Sequence, residues 1–149
     1  MKKISLHFIA FTISGLLHAQ QPVTTSQQTV QQTVIKMFDA LSNCDSVILK
    51  DYCTADITLY EYGQVWNMDT LILKAITQNV STDFRRTNTF HFINTHVDKS
   101  TAWVTYHLQS VISGDGKPKT LQWLETVALV KEKKDWKLKH LHSTLIKRS

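Results

Sequence analysis

Cysteine is scarce in this chain, and the two that occur are badly placed for a disulfide. Cys44 and Cys53 are the only cysteines among 149 residues. The segment between them, "CDSVILKDYC", predicts a short helix, which would separate the two Cα atoms by roughly 13 Å. A disulfide needs a separation below about 7 Å. The sequence therefore predicts two free thiols, and no histidine at a readable spacing supports a thiol nucleophile.

Long apolar runs are also missing, except near the N-terminus. Lys2 and Lys3 precede the apolar run "ISLHFIAFTISGLL", which is followed by "LHA" and Gln20. A short basic segment, an apolar run too short to span a bilayer and a small residue at the cut are typical of a secretory signal peptide. We therefore expect residues 1–19 to be removed on export to the periplasm or beyond. No other segment is expected to cross a membrane.

A basic surface suited to nucleic acid is absent as well. The formal charge of +5 includes Lys2 and Lys3, one charge each, so residues 20–149 carry +3. The other lysines and arginines are scattered or lie near the C-terminus, without interleaved aromatic residues. This distribution argues against nucleic acid as a partner. The remaining length, about 130 residues, is enough for one domain with a core.

A polar leader and then a helical pattern follow residue 19. Gln20–Ser26 is rich in Gln and Thr and predicts a flexible leader. From Gln27 onward, apolar residues recur at three- and four-residue intervals, which predicts a helix with one apolar face: Val30, Val34, Met37, Phe38 and Leu41. No repeat or second domain is visible, so a single domain is expected over residues 27–149.

The rest of the chain ends in a series of strands. "DITLYEYG" predicts a strand closed by Gly63, and "NMDTLILKAITQ" predicts a helix with Asp69 as its N-cap. Four long segments rich in Thr, Val and aromatic residues predict strands: "NTFHFINTHVD", "STAWVTYHLQSVI", "KTLQWLETVALVKE" and "DWKLKHLHSTLI". Helices first and an antiparallel meander afterwards indicate an α+β fold with helices on one face of a sheet.

This order of elements resembles the nuclear transport factor 2-like (NTF2-like) superfamily, in its SnoaL-like and ketosteroid isomerase-like group. The resemblance rests on the first helix running into "LSNCDSVILKDYCTADITLYEYG", on the two long hairpins and on "DWKLKHLHSTL". It implies a cone-like fold, in which a strongly curved antiparallel sheet carries the N-terminal helices over its concave face and encloses an apolar pocket. It also implies no common cofactor, and a homodimer formed through the outer face of the sheet.

The resemblance assigns candidate catalytic positions. In ketosteroid isomerases a carboxylate abstracts a proton, and a tyrosine and a protonated carboxylic acid stabilise the enolate. The base position falls at or near Glu61 and the acid near Glu125, but the tyrosine position falls on Met37, which has no proton to donate. The set is therefore incomplete, and that specific reaction is not expected.

Glu125 is unusual on the residues alone, because it alternates with Trp123, Val127 and Leu129 along a strand. Burial on such an apolar face favours the neutral carboxyl, raises its pKa and suits general acid or base chemistry near neutral pH. A structural interpretation stays open, in which the carboxylate pairs with a histidine of the next strand.

Two histidines in "DWKLKHLHSTL" raise a similar choice. Strict alternation places Trp136, Leu138, His140 and His142 on one face of a strand. His140 is then a catalytic candidate and His142 a ligand-binding candidate, both at a pocket, although buried packing or a metal site are the competing interpretations. The absence of an HxxH or HExxH pattern argues against a metal, and the resemblance implies none.

Aromatic residues gather near the end of the first predicted strand. Tyr60 and Trp66 are candidates for stacking on a planar ligand, and Met37 and Trp123 are further candidate ligand contacts. Packing is the competing interpretation for the aromatic residues. For Arg86, as for its neighbour, a solvated surface is favoured over a contact with an anion.

Three functions remain open. The first is an exported domain that binds a small organic molecule in an apolar pocket containing Glu125, His140 and His142. The second is an enzyme of the isomerase, cyclase or dehydratase type that uses Glu61 or Glu125 as its base and a histidine as the partner of that glutamate. The third is a dimeric interaction module without catalysis. No cofactor is expected for any of them.

Overall fold

The computed structural model describes residues 22–79, 81–114, 116 and 118–149. The predicted signal peptide lies outside these residues. Along the described chain the elements are α1 (Thr25–Ser42), α2 (Ser46–Asp51), β1 (Cys53–Glu61), β2 (Gln64–Trp66), α3 (Met68–Ile72) continuing as a π-helical turn (Leu73–Thr77), β3 (Arg85–Val97), β4 (Thr101–Ser113), β5 (Lys119–Glu132) and β6 (Asp135–Arg148).

Helix α1 begins before the residue that the apolar pattern indicated. Thr24 is its N-cap, because the Thr24 hydroxyl accepts from the Gln27 N–H at 3.3 Å while Gln27 Oε1 accepts from the Thr24 N–H at 2.8 Å. This reciprocal pair is a capping box. The flexible leader predicted over Gln20–Ser26 is therefore wrong at its end, since the helix includes Thr25 and Ser26. Residues 20 and 21 lie outside the described range.

The short helices are capped by the side chains of the residues that immediately precede them. Asp45 Oδ1 accepts from two backbone N–H groups at the start of α2. The N-cap of α3 is Asn67, and the prediction of Asp69 is wrong because Asp69 already lies inside the first turn. Cys44 and Cys53, on either side of α2, are free thiols as predicted.

The strands form one curved, open sheet in the order β2-β1-β6-β5-β4-β3. The pairs β3–β4, β4–β5 and β5–β6 are antiparallel, as is β1–β2, whereas β1 lies parallel to β6. The α+β prediction is confirmed, and its antiparallel sheet has this one parallel pair. No helix in the described chain is long and apolar enough to cross a membrane.

The core lies between α1 and the inner face of the sheet. On β4, Val104, Tyr106 and Leu108 point inward and are buried, whereas Trp103 points outward and is 40% exposed. Helix α1 contributes its predicted apolar face to the same core. Two amide groups also fasten α1 to β3, since Gln27 Nε2 donates to the Thr95 carbonyl at 2.7 Å and Gln31 Nε2 donates to the Thr95 hydroxyl at 2.8 Å.

Candidate functional site

A cavity of about 170 Å³ opens between α1, the inner face of the sheet and the π-helical turn. Its walls are mostly apolar, and its polar groups come from several different strands. The lining residues include Met37, Glu61, Lys74, Arg86, Trp123 and Glu125. A small apolar cavity with a few convergent polar groups is the usual form of a ligand site.

Polar side chains cross the sheet in one row beside this cavity. Strand pairing sets Tyr106 of β4 opposite Glu125 of β5, and Glu125 opposite Ser143 of β6. The parallel pairing of Leu59 with Leu141 continues along β1 and β6, which places Glu61 beside Ser143. Two carboxyl groups and two hydroxyl groups from four neighbouring strands thus share one level of the fold.

Glu125 is the most deeply buried group of this row. Its side chain is 3% exposed, and Ser143 Oγ donates to Oε1 at 2.9 Å. Oε2 has no hydrogen-bond partner in the described structure. Desolvation raises the pKa of Glu125 to about 7, against the smaller lowering effects of Tyr106, Ser143 and Arg86. A buried oxygen without a partner is costly, so Oε2 is suited to contact a ligand.

The Tyr106 hydroxyl lies next to Glu125 but forms no hydrogen bond with its free oxygen. It is fully buried and, like Glu125 Oε2, has no hydrogen-bond partner in the part of the chain described. Each group affects the pKa of the other, and burial together with the nearby Glu125 carboxyl holds the pKa of Tyr106 well above its usual range. The two groups lie close without the geometry of a hydrogen bond, which leaves both open to a third group.

Glu61 supplies a second carboxyl at the same level. Burial and, to a smaller extent, the charge of Glu125 raise its pKa to about 7, while Ser143 and Arg86 oppose the shift. Two carboxyl groups that titrate near neutral pH therefore line one cavity. Such a pair is able to hold, accept or release a proton at physiological pH.

Arg86 brings a positive charge to the cavity from β3. Its Nε donates to Asn88 Oδ1 at 3.1 Å, its Nη2 donates to Ser110 Oγ at 3.3 Å, and its guanidinium lies 5.4 Å from the centre of the Phe38 ring. Desolvation lowers its pKa, and the nearby glutamates act in the opposite direction. The expectation of a solvated surface is wrong for Arg86, because it shares the inward face of β3 with Phe90.

The hairpin between β1 and β2 shapes one edge of the cavity. Tyr62 and Gly63 form its two-residue turn, and both have positive φ, 50° and 73°. Positive φ at both positions is the geometry of a type I′ turn, which suits the twist of a hairpin. The Tyr62 ring then lies 6.2 Å from that of Trp66, and both side chains line the cavity.

The structure gathers five of the residues that the sequence singled out. Met37, Glu61, Trp66, Trp123 and Glu125 come from α1, β1, β2 and β5 and all line this cavity. The roles assigned to them stay predictions.

The other three singled-out residues lie on the opposite, outer face of the sheet. His140 Nδ1 and the Thr58 hydroxyl are 2.8 Å apart, and the Tyr60 ring packs 4.7 Å from that of His140 and 5.8 Å from that of His142. The interpretation that the two histidines close a pocket, or pair with Glu125, is therefore wrong. The prediction that Tyr60 contacts a ligand in this cavity is wrong too.

A β-bulge explains the error. Leu129 pairs with Leu138 and Ala128 pairs with His140, so Lys139 is an extra residue on β6. Because a bulge shifts the alternation by one residue, the inward positions change from Leu138 to Leu141 and Ser143. The histidines consequently point outward. No group of three His, Cys, Asp or Glu able to hold a metal ion occurs among the residues described.

The sequence patterns did not place Arg86 or Ser143 in the site. Alternation would have found Arg86, since it lies four and six residues before the inward Phe90 and Phe92. Ser143 was hidden by the bulge, which reverses the apparent face of the residues of β6 between Lys139 and the second register shift at Ile146.

The comparisons with known proteins agree with this fold. The SnoaL-like domain family matches residues 30–146. The chain belongs to this family. A search among curated proteins found no match. Solved structures with the same fold include an NTF2-like protein from Cytophaga hutchinsonii ATCC 33406, at 12% identity and a TM-score of 0.67, which covers 83% of this chain and 100% of that one.

Two further structures show how varied the proteins with this fold are. A ketosteroid isomerase-like protein from Erwinia carotovora atroseptica SCRI1043 has 14% identity and a TM-score of 0.67, covering 83% of this chain and 98% of that one. The S. rosetta CaMKII hub has 24% identity and a TM-score of 0.66, covering 84% and 99%. At these identities the likeness concerns the fold alone.

Proposed function

We propose that this SnoaL-like domain binds a small organic molecule in the cavity between α1 and the sheet. The observation that carries the proposal is Glu125 Oε2, a buried oxygen without a partner in the described structure, on a residue in the wall of a mostly apolar cavity. Buried polar atoms are nearly always hydrogen-bonded, so an open one at a cavity favours a ligand that completes it.

The cavity limits the size of that molecule. Its volume of about 170 Å³ is close to the roughly 150 Å³ of an apolar protein cavity that accepts benzene. A ligand of one ring, or an aliphatic molecule of similar volume, fits this space without rearrangement of the walls.

A second candidate function is an enzyme of the isomerase, cyclase or dehydratase type. Glu61 and Glu125 favour it, because both have a pKa raised to about 7 and both line the cavity. One carboxyl would remove a proton from the substrate while the other, in its neutral form, would donate a hydrogen bond to the oxygen on which charge develops. Met37 offers no third polar group.

A third candidate is an interaction module in which the outer face of the sheet forms a homodimer. Large apolar side chains lie exposed on this face, among them Trp103, Val111 and Leu124. Exposed apolar patches of this kind are common at protein interfaces. Within this proposal the outward His140 and His142 belong to the interface rather than to the cavity.

We also propose that the protein is exported and that residues 1–19 are its signal peptide. The support is the basic start followed by a short apolar run. The intact mass of the protein recovered from the periplasm or medium tests this, since export with cleavage removes those residues. A full-length protein that stays in the cytoplasm contradicts it.

Native mass spectrometry of the purified protein tests ligand binding directly. We expect an additional small organic mass that is weakened by Glu125→Ala, which removes both carboxyl oxygens, whereas Glu132→Ala, an exposed change on the same strand, leaves it unaffected. A ligand that is converted by the original protein but only bound by Glu125→Gln favours the enzyme. A bare mass, together with no thermal stabilisation by any compound of a small-molecule library, contradicts the proposal.

A further inference from the structure

Arg86 carries a charge that no carboxylate neutralises by direct contact. In the described structure, no carboxylate oxygen lies within the 4.0 Å of an ion pair from its guanidinium. Its two side-chain hydrogen bonds go to the neutral groups of Asn88 and Ser110. A guanidinium has five N–H donors, so several remain available on the side that faces the cavity.

The hydrogen bond from Ser143 indicates which oxygen of Glu125 carries the proton when this carboxyl is neutral. Ser143 Oγ donates to Oε1, which therefore acts as an acceptor. Oε2, the oxygen without a partner among the described residues, is left to hold the proton. In that form it is a hydrogen-bond donor on a residue that lines the cavity, and a hydrogen bond from it suits an anionic oxygen best.

The charged groups around the cavity favour an anion over a cation. Arg86 and Lys74 are both positive and both line it, and the only carboxyls among the lining residues are Glu61 and Glu125. With each of these pKa values raised to about 7, the two carboxyls together carry about one negative charge at neutral pH. Tyr62, which also lines the cavity, and Tyr106, next to Glu125, contribute hydroxyl groups, and α1 contributes apolar side chains only: Met37, Phe38 and Leu41.

We propose that the ligand is a small monocarboxylate, whose carboxylate group contacts the Arg86 guanidinium and accepts a hydrogen bond from Oε2 of neutral Glu125. This inference rests on the proposed binding function and specifies its ligand class. The apolar part of the ligand packs against Met37, Trp66 and Trp123 in a space of about one ring.

This arrangement couples the binding of the ligand to the binding of a proton by Glu125. Neutral Glu125 binds the anion, while its ionised form repels it, so binding requires a proton on this carboxyl and draws one from the buffer. With a pKa of about 7, the neutral fraction falls about tenfold between pH 6 and pH 8. The affinity for a carboxylate should fall by about the same factor, whereas that for an amine should rise.

Isothermal titration calorimetry with three probes that share a ring tests the ligand class. Benzoate, benzylamine and benzyl alcohol are titrated into the purified protein at pH 6 and pH 8. We expect benzoate to bind most tightly at pH 6, with an affinity about tenfold lower at pH 8. The uptake of a proton on binding should be visible as an enthalpy that depends on the buffer. Tighter binding of benzylamine, or an affinity for benzoate that is independent of pH, overturns the inference.

Arg86 has a matched control in its neighbour Arg85, which is exposed and hydrogen-bonded only to the Phe84 carbonyl among the contacts found. We expect Arg86→Gln to weaken benzoate binding by about 10- to 100-fold, the usual effect of losing a charged hydrogen bond. Arg85→Gln should change the affinity for benzoate by less than about twofold. Equal affinities of the two variants for benzoate contradict a contact with Arg86.

Glu125→Gln provides a test that a poorly folded variant would not pass. Glutamine is neutral and keeps an N–H donor at every pH, so this variant should bind benzoate at pH 8 about tenfold more tightly than the original protein does. A loss of benzoate binding at both pH values by a folded Glu125→Gln overturns the inference.

The results separate this inference from the function that it rests on. Binding of benzyl alcohol or benzylamine in preference to benzoate preserves a small-molecule site and rejects the carboxylate. If none of the three probes binds, and native mass spectrometry finds no retained ligand, both the carboxylate and the binding function are rejected.

Discussion

Glu125 makes the stability of the fold depend on pH through a single buried carboxyl. Its pKa is about 7 in the folded protein and has an ordinary value of 4.5 when exposed. Between these values the folded state binds more protons than the unfolded state, so the free energy of unfolding falls as the pH rises. This loss of unfolding free energy is absent at pH values below the lower pKa and complete at pH values above the higher one.

We therefore predict that the protein loses on the order of 3 kcal/mol of stability between pH 5 and pH 8 on account of Glu125. Glu125→Gln should reduce this loss and make the protein more stable at pH 8, since glutamine has no charge to desolvate. Urea unfolding at several pH values measures it. Glu132→Gln, at an exposed position of the same strand, is the control and should keep the original slope.

Glu61 is coupled to this effect. The charge of Glu125 contributes to the raised pKa of Glu61, so the pKa of Glu61 should fall in Glu125→Gln. An unchanged dependence of stability on pH in that variant would mean that Glu125 is ionised or paired in the folded state, contrary to its described surroundings.

At the scale of an element, α1 depends on the capping box at its start. Thr24 and Gln27 satisfy each other's backbone N–H groups, and Gln27 also bonds to the Thr95 carbonyl of β3. The beginning of the helix is thus tied to the sheet at one end of the domain. A free N–H at this position would have to be satisfied by water.

We predict that Thr24→Ala destabilises the protein by about 1 kcal/mol, the usual effect of removing an N-cap oxygen. Thr24→Ser keeps that oxygen and should change stability by less than about 0.5 kcal/mol. The midpoints of urea unfolding compare the two variants. Equal stabilities for alanine and serine would show that the helix start is not held by this hydroxyl.

At the scale of the whole molecule, the sheet has an inner face that carries the core and an outer face that carries polar and aromatic groups. Strand β5 shows the contrast, because Leu129 is 1% exposed and Leu124 is 38% exposed. These two leucines form a matched pair, since they share a strand and differ in the face on which they lie.

We predict that Leu129→Ala costs about 2 to 5 kcal/mol in unfolding free energy through the cavity that it leaves. Leu124→Ala should cost less than about 1 kcal/mol if the outer face is solvated. Chemical unfolding at two protein concentrations measures both. A large effect of Leu124→Ala that grows with concentration would support the proposed homodimer, and a large effect that does not would contradict the assignment of the faces.

The local pattern predicted much of the fold and part of the cavity. The period of apolar residues identified α1 and the long strands because helices and strands present their side chains at fixed intervals. It also placed Glu125 on an apolar face, since β5 alternates regularly from Leu121 to Leu129. The spacing of apolar residues along α1 likewise predicted an apolar helix face that includes Met37, which lines the cavity.

The tertiary structure decided which polar residues reach the cavity. The bulge at Lys139 turns His140 and His142 outward and brings Ser143 to Glu125, and its position depends on pairing with neighbouring strands. Arg86 and Glu61 are far apart in sequence and face one cavity only because the sheet is curved and β1 lies parallel to β6. Alternation along a single strand determines a face only until a bulge reverses it, and contacts between strands determine where that bulge lies.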